Sequence, residues 1–147
     1  KFSENNHYNN NNNGNHKYSH SLSDMHIAEM LNKLDGEQRT ALSHACEKGQ
    51  LQVIEFLVKQ NGIDLELGGK HHDENWTNLH WACRYGHSDI VQLLIDNSAN
   101  IDAQTSKKKS TGLHLACATG HVDVINTLLK NGAKKDIEDV YGCTPLS

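Results

Sequence analysis

Large side chains are scarce in this chain of 147 residues: aromatic residues make up 5% of it, apolar residues 36%, and there is a single proline. So few bulky groups would leave one large globular core thin, and a repetitive architecture of small modules is the better expectation. Long apolar runs are missing too. Stretches such as Ile90-Val91 and Leu93-Leu94-Ile95 fall far short of the roughly 20 residues needed to cross a bilayer, so no membrane insertion is expected. Nor is there a basic excess. With 14 Lys and Arg against 18 Asp and Glu, the net charge of -4 gives no field to hold a polyanion, which counts against nucleic acid as a partner. The four cysteines are not spaced like zinc knuckles. They point to reduced thiols in the cytoplasm, with the nucleus as the alternative location.

What is present begins with asparagine. Eight of the first twenty residues are Asn, including Asn9 to Asn13, with almost nothing apolar to offset the entropy of ordering them. Residues 1–20 read as a disordered linker. From Ser21 a helix-start pattern leads into Ile27, Met30, Leu31 and Leu34 at i, i+3, i+4 and i+7, one amphipathic helix within 21–36 whose polar side carries His26, Glu29, Asn32 and Lys33. A helix so short needs something to lie on.

The remainder repeats. Thr40-Ala41-Leu42-Ser43-His44-Ala45-Cys46, Thr77-Asn78-Leu79-His80-Trp81-Ala82-Cys83, Thr111-Gly112-Leu113-His114-Leu115-Ala116-Cys117 and a shortened Thr144-Pro145-Leu146-Ser147 align, their starts 37, 34 and 33 residues apart. Nine residues after each of the first three threonines comes a glycine, Gly49, Gly86 or Gly120, fit to end a helix in the left-handed conformation. A second apolar-periodic run follows each: Val53 to Val58, Ile90 to Ile95, and Val124 to Leu129. Each unit is therefore a helix pair. The segment Ile63 to Trp76 is longer than the repeat requires.

Thr-x-Leu-His-x-Ala, Gly-His and Val-x-x-Leu-Leu at this period resemble the ankyrin repeat over residues 38–147, with units at about 38–72, 73–107, 108–140 and a truncated 141–147. The family's proline after the threonine stands only at Pro145; Ala41, Asn78 and Gly112 replace it elsewhere. The resemblance implies an all-α solenoid of stacked helix-turn-helix units with β-turn or hairpin loops, capped by the helix at 21–36. A chain ending inside a fourth unit reads as a fragment of a longer polypeptide.

Function follows from what the motifs lack and where the family places its contacts. Cys46, Cys83 and Cys117 recur once per unit beside the motif alanine, as small buried fillers do, whereas Cys143 falls on a loop. The phased histidines His80, His114, His87 and His121 are implied by the resemblance to brace neighbouring loops. No nucleophile motif accompanies them, so no catalytic residue, cofactor or metal is assigned. His71-His72-Asp73-Glu74 is the most metal-like string, but four adjacent residues cannot all face one ion. The family's concave positions fall here on Arg39, Glu47 and Lys48; Asp73, Glu74, Trp76, Arg84 and Tyr85; Lys107, Lys108, Ser110, Ala118 and Thr119; and Tyr141.

Trp76, Arg84 and Tyr85 form the expected centre, since aromatic and arginine side chains dominate binding hot spots. The alternative for Trp76 is packing across the long loop, and Trp81 is assigned to packing. Lys107-Lys108-Lys109 in one loop faces Asp136, Glu138 and Asp139 in the next, giving the loop edge a charge polarity. The expectation is a monomeric protein-binding module. The rival readings are a targeting or regulatory arm of a larger enzyme or lipid-handling protein, such as a palmitoyltransferase or acyl-CoA-binding protein, and a purely structural spacer.

Overall fold

The computed structural model describes residues 25–147. The asparagine-rich linker expected at 1–20 and the helix start expected at Ser21 lie outside the described residues. Residues 25–31 are helical and form α1. Three helix pairs follow: α2 (Ala41–Lys48) with α3 (Leu51–Leu57), α4 (Asn78–Arg84) with α5 (Ser88–Asp96), and α6 (Gly112–Thr119) with α7 (Val122–Lys130). Between the first two pairs the long loop folds into an antiparallel hairpin, β1 (Lys70–His71) and β2 (Glu74–Asn75), with Lys70 opposite Asn75 and His71 opposite Glu74. Its tip contains His72 at φ 59°.

Local chemistry starts and stops each first helix in the same way. Thr40, Thr77 and Thr111 hold extended backbone, and their hydroxyls accept from the N–H groups of Ser43, His80 and His114 at 3.1, 3.3 and 3.3 Å. In the second and third units the histidine returns the bond, its Nδ1 accepting from the N–H of Thr77 at 2.9 Å or Thr111 at 3.0 Å. This is a capping box in which imidazole stands where glutamate usually does. At the other end Gly49, Gly86 and Gly120 take φ of 75°, 81° and 76°.

The first helices stack in chain order, α2 on α4 on α6, and the second helices α3, α5 and α7 form a parallel row behind them. Between the rows runs a continuous core of Leu42, Ile54, Leu79, Ile90, Leu94, Leu113, Val124 and Leu128, each no more than 2% exposed. Full burial of such side chains is worth about 1.5–3 kcal/mol each. Small residues set the spacing: Ala45, Cys46, Ala82, Cys83 and Ala116 are buried where the first helices meet. Gly112 belongs to the same set, because a Cβ there would lie 2.8 Å from the Cys83 sulfur. Close approach of α6 to α4 thus explains why this position lacks a larger residue.

Cys117 is only half-buried and Cys143 exposed. Burial raises the Cys46 thiol to about 12 and raises Cys83 further in the same direction, so neither is a thiolate at neutral pH.

The face that α1 turns to the repeats differs from the one its apolar spacing suggests. Met30 is 72% exposed, and Ile27 and Leu34 are exposed too, while Leu31 packs on the core and Ala28 lies so close to Gly62 that no Cβ fits there. Asn32, expected on the solvent side, anchors the contact: its Nδ2 donates to the Gly62 carbonyl at 2.8 Å and its Oδ1 accepts from the Asp64 N–H at 2.9 Å. The helix ends at 31, before Leu34, and Asp35 closes the following turn by accepting from the N–H groups of Glu37 and Arg39. Two polar anchors and a small residue decide the seating here, over the area the larger side chains would bury.

Candidate functional site

The loops that precede the first helices form one edge of the stack, joined by a backbone ladder. Lys70 N–H donates to the Gln38 carbonyl, Ser106 N–H to Asn75, and Val140 N–H to Lys108, at 2.9, 3.2 and 2.9 Å. Histidines supply a second set of links. His80 and His114 reach the carbonyls of Ala103 and Cys143 at 2.9 Å, while His87 and His121 reach Glu47 and Arg84 at 2.9 and 3.0 Å. Each of the latter pair lies over the glycine ending the previous first helix: a Cβ on Gly49 or Gly86 would come within 2.7 or 2.6 Å of the ring. The bracing role implied for all four histidines is what the geometry gives them. His80 is fully buried, and desolvation depresses it to about 4, so it is a neutral imidazole at pH 7.

Links of one unit to the next through loop carbonyls, threonine-capped first helices and left-handed glycines identify the repeat. The chain belongs to the ankyrin-repeat family. The family model for ankyrin repeats in three copies matches residues 7–105, and that for ankyrin repeats in many copies matches residues 94–147. Similar proteins include the ankyrin repeat and KH domain-containing protein mask of Drosophila melanogaster, 41% identical over 68 residues, or 46% of this chain and 2% of that protein. The Notch-regulated ankyrin repeat-containing protein A of Danio rerio is 39% identical over 84 residues, 56% of this chain and 71% of that protein. The palmitoyltransferase ZDHHC13 of Mus musculus is 35% identical over 66 residues, 45% of this chain and 10% of that protein. The chain spans no more than about a fifth of the length of the first relatives it matches. Ankyrin repeats are protein-interaction modules and are generally non-catalytic. Among the described residues no helix is long and apolar enough to cross a membrane.

Three of the expected contact residues prove to be buried supports, which corrects their assignment. Trp76 is 5% exposed, and its indole N–H donates to Glu74 at 3.1 Å. Its ring stacks on His71 with centroids 4.1 Å apart and tilts against Trp81 at 4.9 Å. His71 of the hairpin formed by the long loop stacks on this ring, so packing, the alternative reading for Trp76, is the one realised. Arg39 lies along α2, donating to the Ser43 hydroxyl and carbonyl and to Glu47 at 2.6 Å, with its guanidinium 3.6 Å from the Trp81 ring centroid. Glu74 turns inward, where its carboxylate accepts from the N–H groups of Lys107 and Lys108 at 3.0 and 2.6 Å. Burial alone would raise Glu74, but the bonds from Lys108, Thr105, Trp76 and Lys107 outweigh it and hold the group below the usual carboxylate range.

The others stand at the surface or border it. Tyr85 is 37% exposed, its ring parallel to Trp81 at 6.3 Å and the Arg84 guanidinium 5.4 Å from its centroid. Lys48, Ala118, Lys107 and Lys108 are exposed, Glu47, Ser110 and Thr119 half-buried. Tyr141, at 75%, lies one loop further along the edge. Asp73 is exposed and paired with Lys107, which holds its carboxyl low. With Glu74 drawn inward and Asp73 tied to lysine, the His71-His72-Asp73-Glu74 string does not converge on an ion. Asp35, Glu37 and His44 do bring ligand atoms within 4.8 Å of one another, but Asp35 is already bonded to two backbone N–H groups and to His44 Nε2 at 2.7 Å.

Sequence reading missed His71. It completes an aromatic row with Trp76 and Trp81, and burial together with the charges of His72, Arg84 and Lys108 lowers its pKa. Alternation along the hairpin places it on the same side as its cross-strand partner Glu74, a consequence of the expected hairpin loops that the string of four polar residues obscured.

Proposed function

We propose that this chain binds a protein partner through its concave face and loop edge, with the contact centred on Arg84 and Tyr85 of the second unit. One observation carries the reading. The exposed Tyr85 ring lies parallel to Trp81, which is itself held by the Arg39 guanidinium and by Trp76. The Tyr85 ring is thus backed by a buried aromatic row before a partner arrives, with Arg84 beside it, which lowers the entropy cost of association. The chain acts as a monomeric, non-catalytic module of the cytoplasm or nucleus, with no use of nucleic acid. The palmitoyltransferase likeness extends over 66 residues and adds nothing beyond shared repeats, so it does not favour a targeting arm.

The test is capture from lysate with the parent and with a variant carrying Arg84→Ala and Tyr85→Ala, matched by helical circular dichroism. A protein retained by the parent and lost by the folded variant supports the reading. Equal retention by both overturns it.

A further inference from the structure

Two Asn-Gly steps among the described residues follow second helices of the stack, Asn61-Gly62 after α3 and Asn131-Gly132 after α7. The same dipeptide meets opposite surroundings. Asn131 is half-buried and engaged on both sides of its amide: Nδ2 donates to the Thr127 carbonyl and to Gln92 Oε1, both at 2.8 Å, and Oδ1 accepts from Gln92 Nε2 at 3.3 Å. The Gly132 N–H donates to the Leu129 carbonyl at 3.1 Å. Asn61 and Gly62 are exposed, and among the described residues neither the Asn61 amide nor the Gly62 N–H has a hydrogen-bond partner. Yet Gly62 is where α1 is seated. Its carbonyl accepts from Asn32 Nδ2 at 2.8 Å, and Ala28 fills the space a Cβ would need, 2.5 Å away. A third such step, Asn13-Gly14, lies outside the described residues.

We propose that Asn61 is a site of spontaneous deamidation, and that its conversion to isoaspartate unseats α1. The Gly62 nitrogen attacks Asn61 Cγ: the N–Cγ bond forms, the Cγ–Nδ2 bond breaks, and Nδ2 leaves as ammonia with the proton that Gly62 gives up through solvent. Water then opens the succinimide. Cleavage between the Gly62 nitrogen and Cγ leaves aspartate, whereas cleavage between that nitrogen and the backbone carbonyl carbon leaves isoaspartate, whose main chain runs through Cβ and Cγ. One water is consumed and one ammonia released, with no oxidant or reductant. Glycine favours the attack because no side chain shields its nitrogen. An amide without partners has no bonds to give up on the way, whereas Asn131 must surrender several. Isoaspartate lengthens the main chain by one methylene immediately before Gly62, which carries its carbonyl away from Asn32. The close Ala28 contact has no slack to follow. Leu31, which packs on the core from α1, then loses its seat with the helix. Aspartate keeps the main-chain spacing and leaves α1 in place.

Ageing the full chain in mildly alkaline buffer, with tryptic peptide mapping by mass spectrometry, tests the first step. In the folded chain Asn61 is expected to deamidate roughly tenfold faster than Asn131, about the effect of one hydrogen bond that must open before attack. In urea the two are expected to react alike. Asn13 falls on a separate tryptic peptide and is scored apart. Labelling by an isoaspartate-specific carboxyl methyltransferase distinguishes isoaspartate from aspartate at position 61. Hydrogen exchange on the isoaspartate fraction, isolated by ion exchange, tests the second step. Amides of residues 28–34 are expected to lose protection there, while those of α4 to α7 keep it. Asn61→Ser, which cannot deamidate, and Asn61→Asp, which adds the charge without the methylene, are both expected to keep α1 protected after the same ageing. Equal rates at Asn61 and Asn131 in the folded chain, or a difference that persists in urea, overturns the proposal. So does unchanged exchange of α1 in the isoaspartate fraction, or its loss of protection in either variant.

Discussion

His80 gives the sharpest test of how the stack is held together. Its ring is buried, accepts from the Thr77 N–H through Nδ1 and links Nε2 to the Ala103 carbonyl, an arrangement that suits the neutral tautomer with hydrogen on Nε2. Desolvation lowers its pKa from 6.5 to about 4, so the unfolded chain takes up a proton that the folded chain refuses. The depressed base contributes stability in full above pH 6.5, and that contribution is lost as pH falls toward 4. Integrating over that window removes about 2 kcal/mol by pH 5 and about 3 kcal/mol by pH 4. Urea unfolding followed at 222 nm, at pH 7 and pH 5 and fixed ionic strength, measures it against His80→Gln. The variant is expected to be about 2–3 kcal/mol less stable at pH 7, where it leaves a buried N–H and carbonyl poorly paired. At pH 5 the deficit should shrink by about 2 kcal/mol, since glutamine has no proton to take up. Parallel stability curves for the two proteins would refute the buried-neutral assignment.

Other expectations follow from single contacts. Arg39→Lys keeps the charge but loses the guanidinium plane over Trp81 and the fork onto Ser43 and Glu47, so urea unfolding should show a loss of about 1–3 kcal/mol. Gly86→Ala and Gly120→Ala share the left-handed penalty of about 1 kcal/mol, but only Gly86 has a neighbour in the way, the His121 ring at 2.6 Å. Thermal melts should rank Gly86→Ala well below Gly120→Ala, and equal melting temperatures would show the histidine contact to be slack. Thiol labelling under native conditions should modify Cys143 first and leave Cys46 and Cys83 until the chain unfolds, read as the labelled peptide by mass spectrometry.

The sequence alone determined the helix pairs and their order, because the signals involved are local. A threonine hydroxyl finds an N–H three residues on, a glycine tolerates positive φ, and an apolar period defines the face that must be covered, whatever lies beyond. The repeat then tells each unit what its neighbour is, so the bracing histidines were legible from phase and family together. Tertiary structure decided which large side chains meet water. Trp76 and Arg39 occupy positions at which the family resemblance implied partner contacts, yet the hairpin of the long loop sets His71 against the first, and Trp81 draws the second onto its ring. The apolar stripe of α1 misled for the same reason: Asn32 finds Gly62 and Asp64 thirty residues away, and two hydrogen bonds set the orientation that periodicity assigned to Met30 and Leu34. Local pattern records what a residue is able to do with its chain neighbours. Which surface remains free depends on partners brought close only by the fold, and those distances are not written in any one segment.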